Sequence, residues 1–191
     1  MKGQTVDSHV ISLHRLGSAD LELVRTWRNS PEVSQYMEFR DPISPQMQRA
    51  WFDRINNDRN YYFIIGVEDR KIGLANLKDV DLAMESGEAG IFIVDDPLRT
   101  MVAYPSAFAL LDFAFRTLHL RVVRAHILRE NLRAIRFNVA LGYVAMPGQE
   151  SVHNQMYCLT REVYEARTVL YQERMREAGI PMDCRIVVEP G

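Results

Sequence analysis

The stretch from Glu88 to Gly142 alternates extended patterns with helical ones. It reads as a strand (Glu88–Asp95), a turn (Asp96–Val102), an apolar helix (Tyr104–Leu118), a second strand (Arg121–Leu128) and a second helix (Asn131–Leu141). Strands and helices alternating at this spacing predict a βαβα unit with parallel strands. Both turns that lead into helices then open on the same edge of the sheet. On such an edge the carboxyl ends of strands meet helix N-termini and form a ligand crevice.

The flanking chain supplies further layers. Val10–Leu16 fits a first strand, and Ser18 is placed to cap a helix in which Leu21, Val24 and Trp27 recur at helical spacing. That helix is predicted to stop near Asn29-Ser30-Pro31, since proline forbids its continuation. Tyr36 to Pro42 reads as a loop rich in side chains that could line a site: Tyr36, Met37, Phe39 and Arg40. Ser44 caps the next helix with Pro45 in its first position, and Met47, Trp51 and Ile55 are its expected buried stripe. Tyr61–Val67 and Ile72–Leu77 pair as strands around the polar turn Glu68-Asp69-Arg70-Lys71. After Gly142 come two short strands, Tyr143–Met146 and Gln155–Leu159, then a charged helix, Arg161–Ala178. Its apolar residues are Val163, Ala166, Leu170 and Met175; Gly179 and Pro181 end it, and the last ten residues read as a loose tail. No internal repeat or low-complexity linker is visible, so one domain spanning 1–191 is expected, with a core over residues 10–160.

Composition removes several classes of function. The chain has 191 residues, 47% hydrophobic and 25% charged, with a net charge of −2. That is the balance of a soluble globular protein, without the basic footprint of a nucleic-acid or anionic-membrane binder. No apolar run approaches the roughly 20 residues that span a bilayer. Met1 to His9 is polar and lacks a signal-peptide core. Cys158 and Cys184 stand in different segments without metal-ligand spacing, which suggests reduced thiols, a cytoplasmic protein and no metal.

Two stretches carry a family resemblance. The first is Phe113-Ala114-Phe115 with Leu118, Leu120 and Arg121, then Asn131, Ala134 and Ile135, then Leu141-Gly142-Tyr143. The second is Trp27-Arg28-Asn29-Ser30 with Ile43-Ser44 and Trp51-Phe52. With the order of elements, they resemble the GCN5-related N-acetyltransferase (GNAT) superfamily over residues 10–160. The second stretch looks like the branch that acetylates nucleotide-linked amino sugars, close to the ribosomal-protein alanine acetyltransferases. Gln48 stands where the amino-sugar branch tends to have His. The resemblance implies an α/β fold with a mixed, mostly antiparallel sheet, a central parallel βαβα unit and flanking helices. It implies acetyl-CoA as co-substrate.

The same resemblance assigns the donor side. Ile93 and Val94 would hold the pantetheine arm through their main chain, one N–H polarising the acetyl carbonyl, and Asn131 would lie near that arm. Read from the residues, Asn131 stands where a helix N-cap belongs, and both roles are compatible. The pyrophosphate loop of the family carries glycines, whereas this chain has Arg99, Thr100, Met101, Val102, Ala103 and Tyr104. Arg99 can pair with phosphate, but Val102 and Tyr104 put bulk where backbone must approach it, which predicts weakened CoA binding.

Attack on a thioester requires a neutral amine, hence a base or a water chain. Glu88 stands where the family often places the carboxylate for this; the alternative is a solvated strand-end glutamate, with Glu85 a second candidate. Asn138 occupies the position at which many relatives have a tyrosine to protonate the thiolate. An amide cannot donate that proton, though it can hydrogen-bond the sulfur or orient water. His126 lies on a strand and is read as structural. Arg28, Tyr36, Met37 and Trp51 are candidates for the acceptor pocket, the tryptophans being equally readable as core. A guanidinium at Arg28 suits a nucleotide diphosphate.

The resulting expectation is an N-acetyltransferase moving acetyl from acetyl-CoA to a primary amine. Its acceptor is expected to be a nucleotide-linked amino sugar, or else a protein N-terminus. No nucleic-acid or membrane partner is expected, and a homodimer is left open. The rival is a GNAT-fold binding module that has lost catalysis.

Overall fold

The computed structural model describes residues 11–94, 97–177 and 184–187. In chain order the elements are β1 (Ile11–Arg15), α1 (Leu21–Asn29), α2 (Pro31–Ser34), α3 (Pro45–Ile55), β2 (Tyr61–Val67), β3 (Arg70–Asp81) and β4 (Ser86–Ile93). They continue with α4 (Arg99–Asp112), β5 (Val122–Leu128), α5 (Leu132–Leu141), β6 (Val144–Ala145), β7 (Asn154–Thr160), α6 (Arg161–Glu177) and β8 (Cys184–Val187). Among the described residues the strands form one eight-stranded sheet, ordered β6-β7-β5-β4-β3-β2-β1-β8. The β4–β5 and β1–β8 pairs are parallel and the rest antiparallel, so the sheet is mixed and mostly antiparallel, as expected.

Alternation along the strands gives the sheet two different faces. Phe63, Ile65, Ala75, Leu77, Val123, Ala125 and Leu159 face the large core, which α4 and Tyr164 of α6 complete. Tyr62, Ile64, Leu74 and Phe92 face the other way, where Val24, Trp27, Trp51, Phe52 and Ile55 cover them. Both tryptophans are therefore packing residues at the edge of this smaller core.

The central unit folds as predicted in kind, with shifted bounds. β4 starts two residues before Glu88, and the Arg99–Tyr104 stretch, expected as the end of a turn and the start of a helix, already belongs to α4. Pro105 sits inside α4, removing one ladder hydrogen bond, and the helix finishes in a wide turn over Phe113–Thr117, where the Leu118 amide donates to Phe113 O. The expected ends at Asp95 and Asp96, the first-strand start at Val10, and Ala178, Gly179 and Pro181 lie outside the described residues.

Four other expectations are corrected. Ser18 does not cap α1: it begins a single tight turn, Ser18–Asp20, in which the Gly17 amide donates to Asp20 Oδ2 at 3.3 Å. The buried residue near the start of α3 is Gln48, whereas Met47 is 45% exposed. On α6 the buried face is Tyr164, Thr168 and Tyr171, while Val163, Ala166 and Leu170 face outward. The aromatic rings find partners on α4: Phe108 lies 6.0 Å from Tyr164 and 4.5 Å from Tyr171. Finally, the tail is not loose throughout, because β8 pairs with β1 from Ile11↔Cys184 to His14↔Val187.

Candidate active site

The parallel pairing of β4 and β5 covers three positions, Ser86↔Val122, Gly87↔Val123 and Glu88↔Arg124. Beyond them β4 stays paired with β3 as far as Ile93, and β5 with β7 as far as Leu128, so the two strands diverge into a fork. The Val94 amide donates to Ile72 O at 2.9 Å, toward β3. Because successive peptide groups of a strand point to opposite sides, the main chain of Ile93 faces the fork. The Glu85 carbonyl, accepting from the Arg121 amide at 2.7 Å at the closed end, has the same parity.

α4 starts at Arg99, a few residues after β4 ends at the open end of the fork, and a helix N-terminus in that place suits an anion. Val102 is 1% exposed, its side chain turned into the large core. Tyr104 packs against Phe137 of α5 at 4.7 Å and Tyr171 of α6 at 5.1 Å between ring centres. Both bulky side chains are thus committed to packing rather than to the helix mouth, which removes the motive for the binding-module reading. Thr100 is exposed; Arg99, Met101 and Ala103 are half-buried. Asn131 caps α5, its Oδ1 accepting from the Ala134 amide at 3.0 Å. Asn138 donates its side-chain amide to Ala134 O at 2.9 Å, which commits that group to its own helix.

Glu88 is the third residue of β4 and sits at the last paired position of the fork. Its Oε1 lies 3.0 Å from Lys78 Nζ, the cross-strand neighbour on β3. Its Oε2 lies 3.0 Å from Nδ1 of His126, two residues past Glu88's partner on β5. The Glu88 side chain is 19% exposed. Two residues further along β4, the Asn76 side chain occupies the place a side chain at Gly90 would need: a Cβ there would meet Asn76 Oδ1 at 2.8 Å.

Arg28 projects from the last turn of α1, and its Nε is buried without a hydrogen-bond partner. Burial lowers its pKa, opposed by Tyr62, but a guanidinium remains charged. No carboxylate among the described residues pairs with it. Tyr62, held edge-on by Trp51 at 5.1 Å, has its hydroxyl pushed up to about 12, chiefly by burial, with Asp79 and Glu88 adding to the shift and Arg28 opposing it. Arg28, Trp51, Tyr62 and Glu88 therefore share one face of the sheet. The loop bearing Tyr36 and Met37 crosses to the carboxyl end of β5, where Arg40 reaches Glu130 at 3.2 Å and Asn154 donates to Glu38 at 3.1 Å. Tyr36 is 45% exposed on that loop and Met37 half-buried.

Sequence reasoning placed Glu88 but missed Lys78, Tyr62 and the position of His126 relative to it. Each becomes visible only with the strand register, since two-residue alternation says which residues share a face but not which strands are neighbours.

A family model described as an acetyltransferase (GNAT) domain matches residues 11–144. Acetyltransferase PseH of Campylobacter jejuni is 24% identical over 122 residues, 63% of this chain and 74% of that protein. Among solved structures, spermidine N-acetyltransferase from Vibrio cholerae, in complex with CoA and spermine, has a TM-score of 0.68 at 19% identity, covering 81% of this chain and 98% of its own. Apo FdhC, a nucleotide-linked sugar GNAT, has a TM-score of 0.70 at 22% identity, covering 86% of this chain and 95% of its own. These structural likenesses concern the fold, while the family match covers most of the sequence. The chain belongs to the GNAT acetyltransferase family and is an N-acetyltransferase that takes its acetyl group from acetyl-CoA.

Proposed function

We propose that the acceptor amine belongs to a nucleotide-linked amino sugar. The observation that carries this reading is Arg28, a largely buried guanidinium without a counter-ion among the described residues, on the acceptor face of the sheet. A buried cation left unpaired is costly, and a diphosphate arriving with the substrate relieves that cost by accepting charge-assisted hydrogen bonds. A protein N-terminus or a polyamine brings positive charge instead and leaves Arg28 unsatisfied. The fold's likeness to FdhC, a nucleotide-linked sugar GNAT, supports the same class.

The residues present fit acetyl-CoA. Main-chain groups of β4 at Ile93 suit the pantetheine amides, and the first turn of α4, with Arg99, suits the pyrophosphate. When bound, the cofactor supplies the activated acetyl group; the chain orients it and prepares the amine. Glu88, where the two strands part, places a carboxylate beside the path of the incoming amine.

The test is an assay of CoA thiol release with four acceptors: a UDP-linked amino sugar, the free amino sugar, an alanine-starting peptide and spermidine. The nucleotide-linked sugar is expected to have the highest kcat/KM. Arg28→Ala should lower that value roughly 10- to 100-fold, mainly through KM, as for a lost hydrogen bond to a charged group. Equal use of the free and nucleotide-linked sugars, or indifference to Arg28→Ala, refutes the proposed acceptor.

A further inference from the structure

We infer that His126 is the group that takes the proton from the acceptor amine, and that Glu88 acts through it as a positioning residue. The inference rests on acetyl transfer at this fork, and three observations carry it.

Both oxygens of Glu88 are engaged, one by Lys78 Nζ at 3.0 Å and one by His126 Nδ1 at 3.0 Å. A carboxylate held from both sides is a poor partner for an incoming ammonium. The hydrogen bond to Nδ1 has a second consequence: it favours the tautomer carrying the proton on Nδ1, so the lone pair lies on Nε2, on the opposite edge of the ring. Among the described residues the polar partner of the His126 ring lies on the Nδ1 side, which leaves Nε2 open. The third observation is place. Glu88 sits at the last paired position, whereas His126 stands two residues further out on β5, where the strands have separated. Its side chain is 31% exposed against 19% for Glu88, so it is the more accessible member of the pair.

The charged and titratable groups around the Glu88–His126 pair are Lys78 on β3, Arg124 on β5, Cys158 on β7, Tyr143 ahead of β6 and Tyr62 on β2; the direct partner of His126 on β7 is Met156. Glu88 is the anion paired with the imidazole, and Lys78 holds its other oxygen.

The step balances without any further reactant. Nε2 accepts one proton from the ammonium, and the freed lone pair forms the C–N bond to the thioester carbonyl carbon. The C–S bond then breaks with its electron pair on sulfur. The second nitrogen proton goes to that thiolate, and His126 returns its own proton to water.

The test compares His126→Ala, His126→Gln and Glu88→Gln with the wild type, using acetyl-CoA with a UDP-linked amino sugar and with spermidine. Both His126 variants should lose about 10²- to 10⁴-fold in kcat at pH 7, the range of general acid–base catalysis, with CoA affinity by calorimetry within about twofold. The loss should shrink toward pH 9 to 10, where more of the amine is already neutral. Glu88→Gln should lose less than either, and long-range ¹H–¹⁵N spectra should show its imidazole leaving the Nδ1–H tautomer. Activity of His126→Gln equal to the wild type from pH 6 to 9 overturns the inference, as does a Glu88→Gln defect larger than that of both His126 variants. So does a wild-type spectrum showing the Nε2–H tautomer. That spectrum needs no acceptor, so it decides the pairing even if the nucleotide-sugar reading fails.

Discussion

Tyr62 shows how one buried side chain couples the acceptor face to pH. Its hydroxyl is pushed from 10.0 to about 12, mostly by burial. The folded chain therefore keeps the phenol proton after the unfolded chain has lost it. Ionisation then favours the unfolded chain: this group leaves stability unchanged below pH 10 and removes it progressively as pH rises from 10 to 12. A difference of about two pH units corresponds to about 2–3 kcal/mol at the upper end. Tyr62→Phe should flatten that alkaline decline in urea-denaturation midpoints measured between pH 9 and 12. An alkaline arm unchanged by the substitution would mean that Tyr62 ionises in the folded protein as it does in solvent. Tyr164 and Tyr171 are also raised by burial, so the variant should shallow the decline without abolishing it.

At the scale of the element, α4 explains why an acetyltransferase can lack glycines at its phosphate turn. The residues at those positions point away from the helix mouth: Val102 into the core, Tyr104 into a three-ring contact with Phe137 and Tyr171. A ligand at the N-terminus meets first-turn backbone whichever side chains stand further along the helix. Replacing both Val102 and Tyr104 with glycine should therefore cost stability, on the order of 3–6 kcal/mol from a core cavity, lost ring contacts and poorer helix propensity. CoA affinity should not improve. Chemical denaturation beside calorimetric titration checks both halves, and a clear gain in affinity would show that the native side chains obstruct the cofactor after all.

For the whole molecule, the sheet's edge at β1 is covered by β8, which the chain reaches only after crossing α4 with α6. An uncovered edge strand offers unpaired backbone groups to other chains. Ending the chain at Glu177 should lower Tm by about 5–15 °C, as for a loss of a few kcal/mol in a domain of this size. Light scattering should show concentration-dependent association. A truncated chain with unchanged Tm and no association would assign β8 no structural role. The fork lies on the far side of β2 and β3 from this edge, so acetyl transfer measured below the lowered Tm should persist.

The alternation of strand and helix from Glu88 to Gly142 was enough to predict a parallel pair with both helix starts on one edge, because periodicities of 2 and 3.6 residues are local properties of the chain. Capping by Asn131 and by Ser44 was legible for the same reason, each cap needing only neighbours three residues away. Register, by contrast, is a long-range quantity. That Lys78 faces Glu88, that His126 reaches back to it, and that Arg28 comes to lie beside Tyr62 depend on pairings between segments from 10 to nearly 40 residues apart. The buried face of α6 was misread because its burying residues are Tyr and Thr, whose polar atoms mask their packing role until the rings of α4 are in place. The family's chemistry could be read along the chain; the arrangement of charges that would carry it was decided by tertiary structure, because only the folded sheet brings those side chains onto one face.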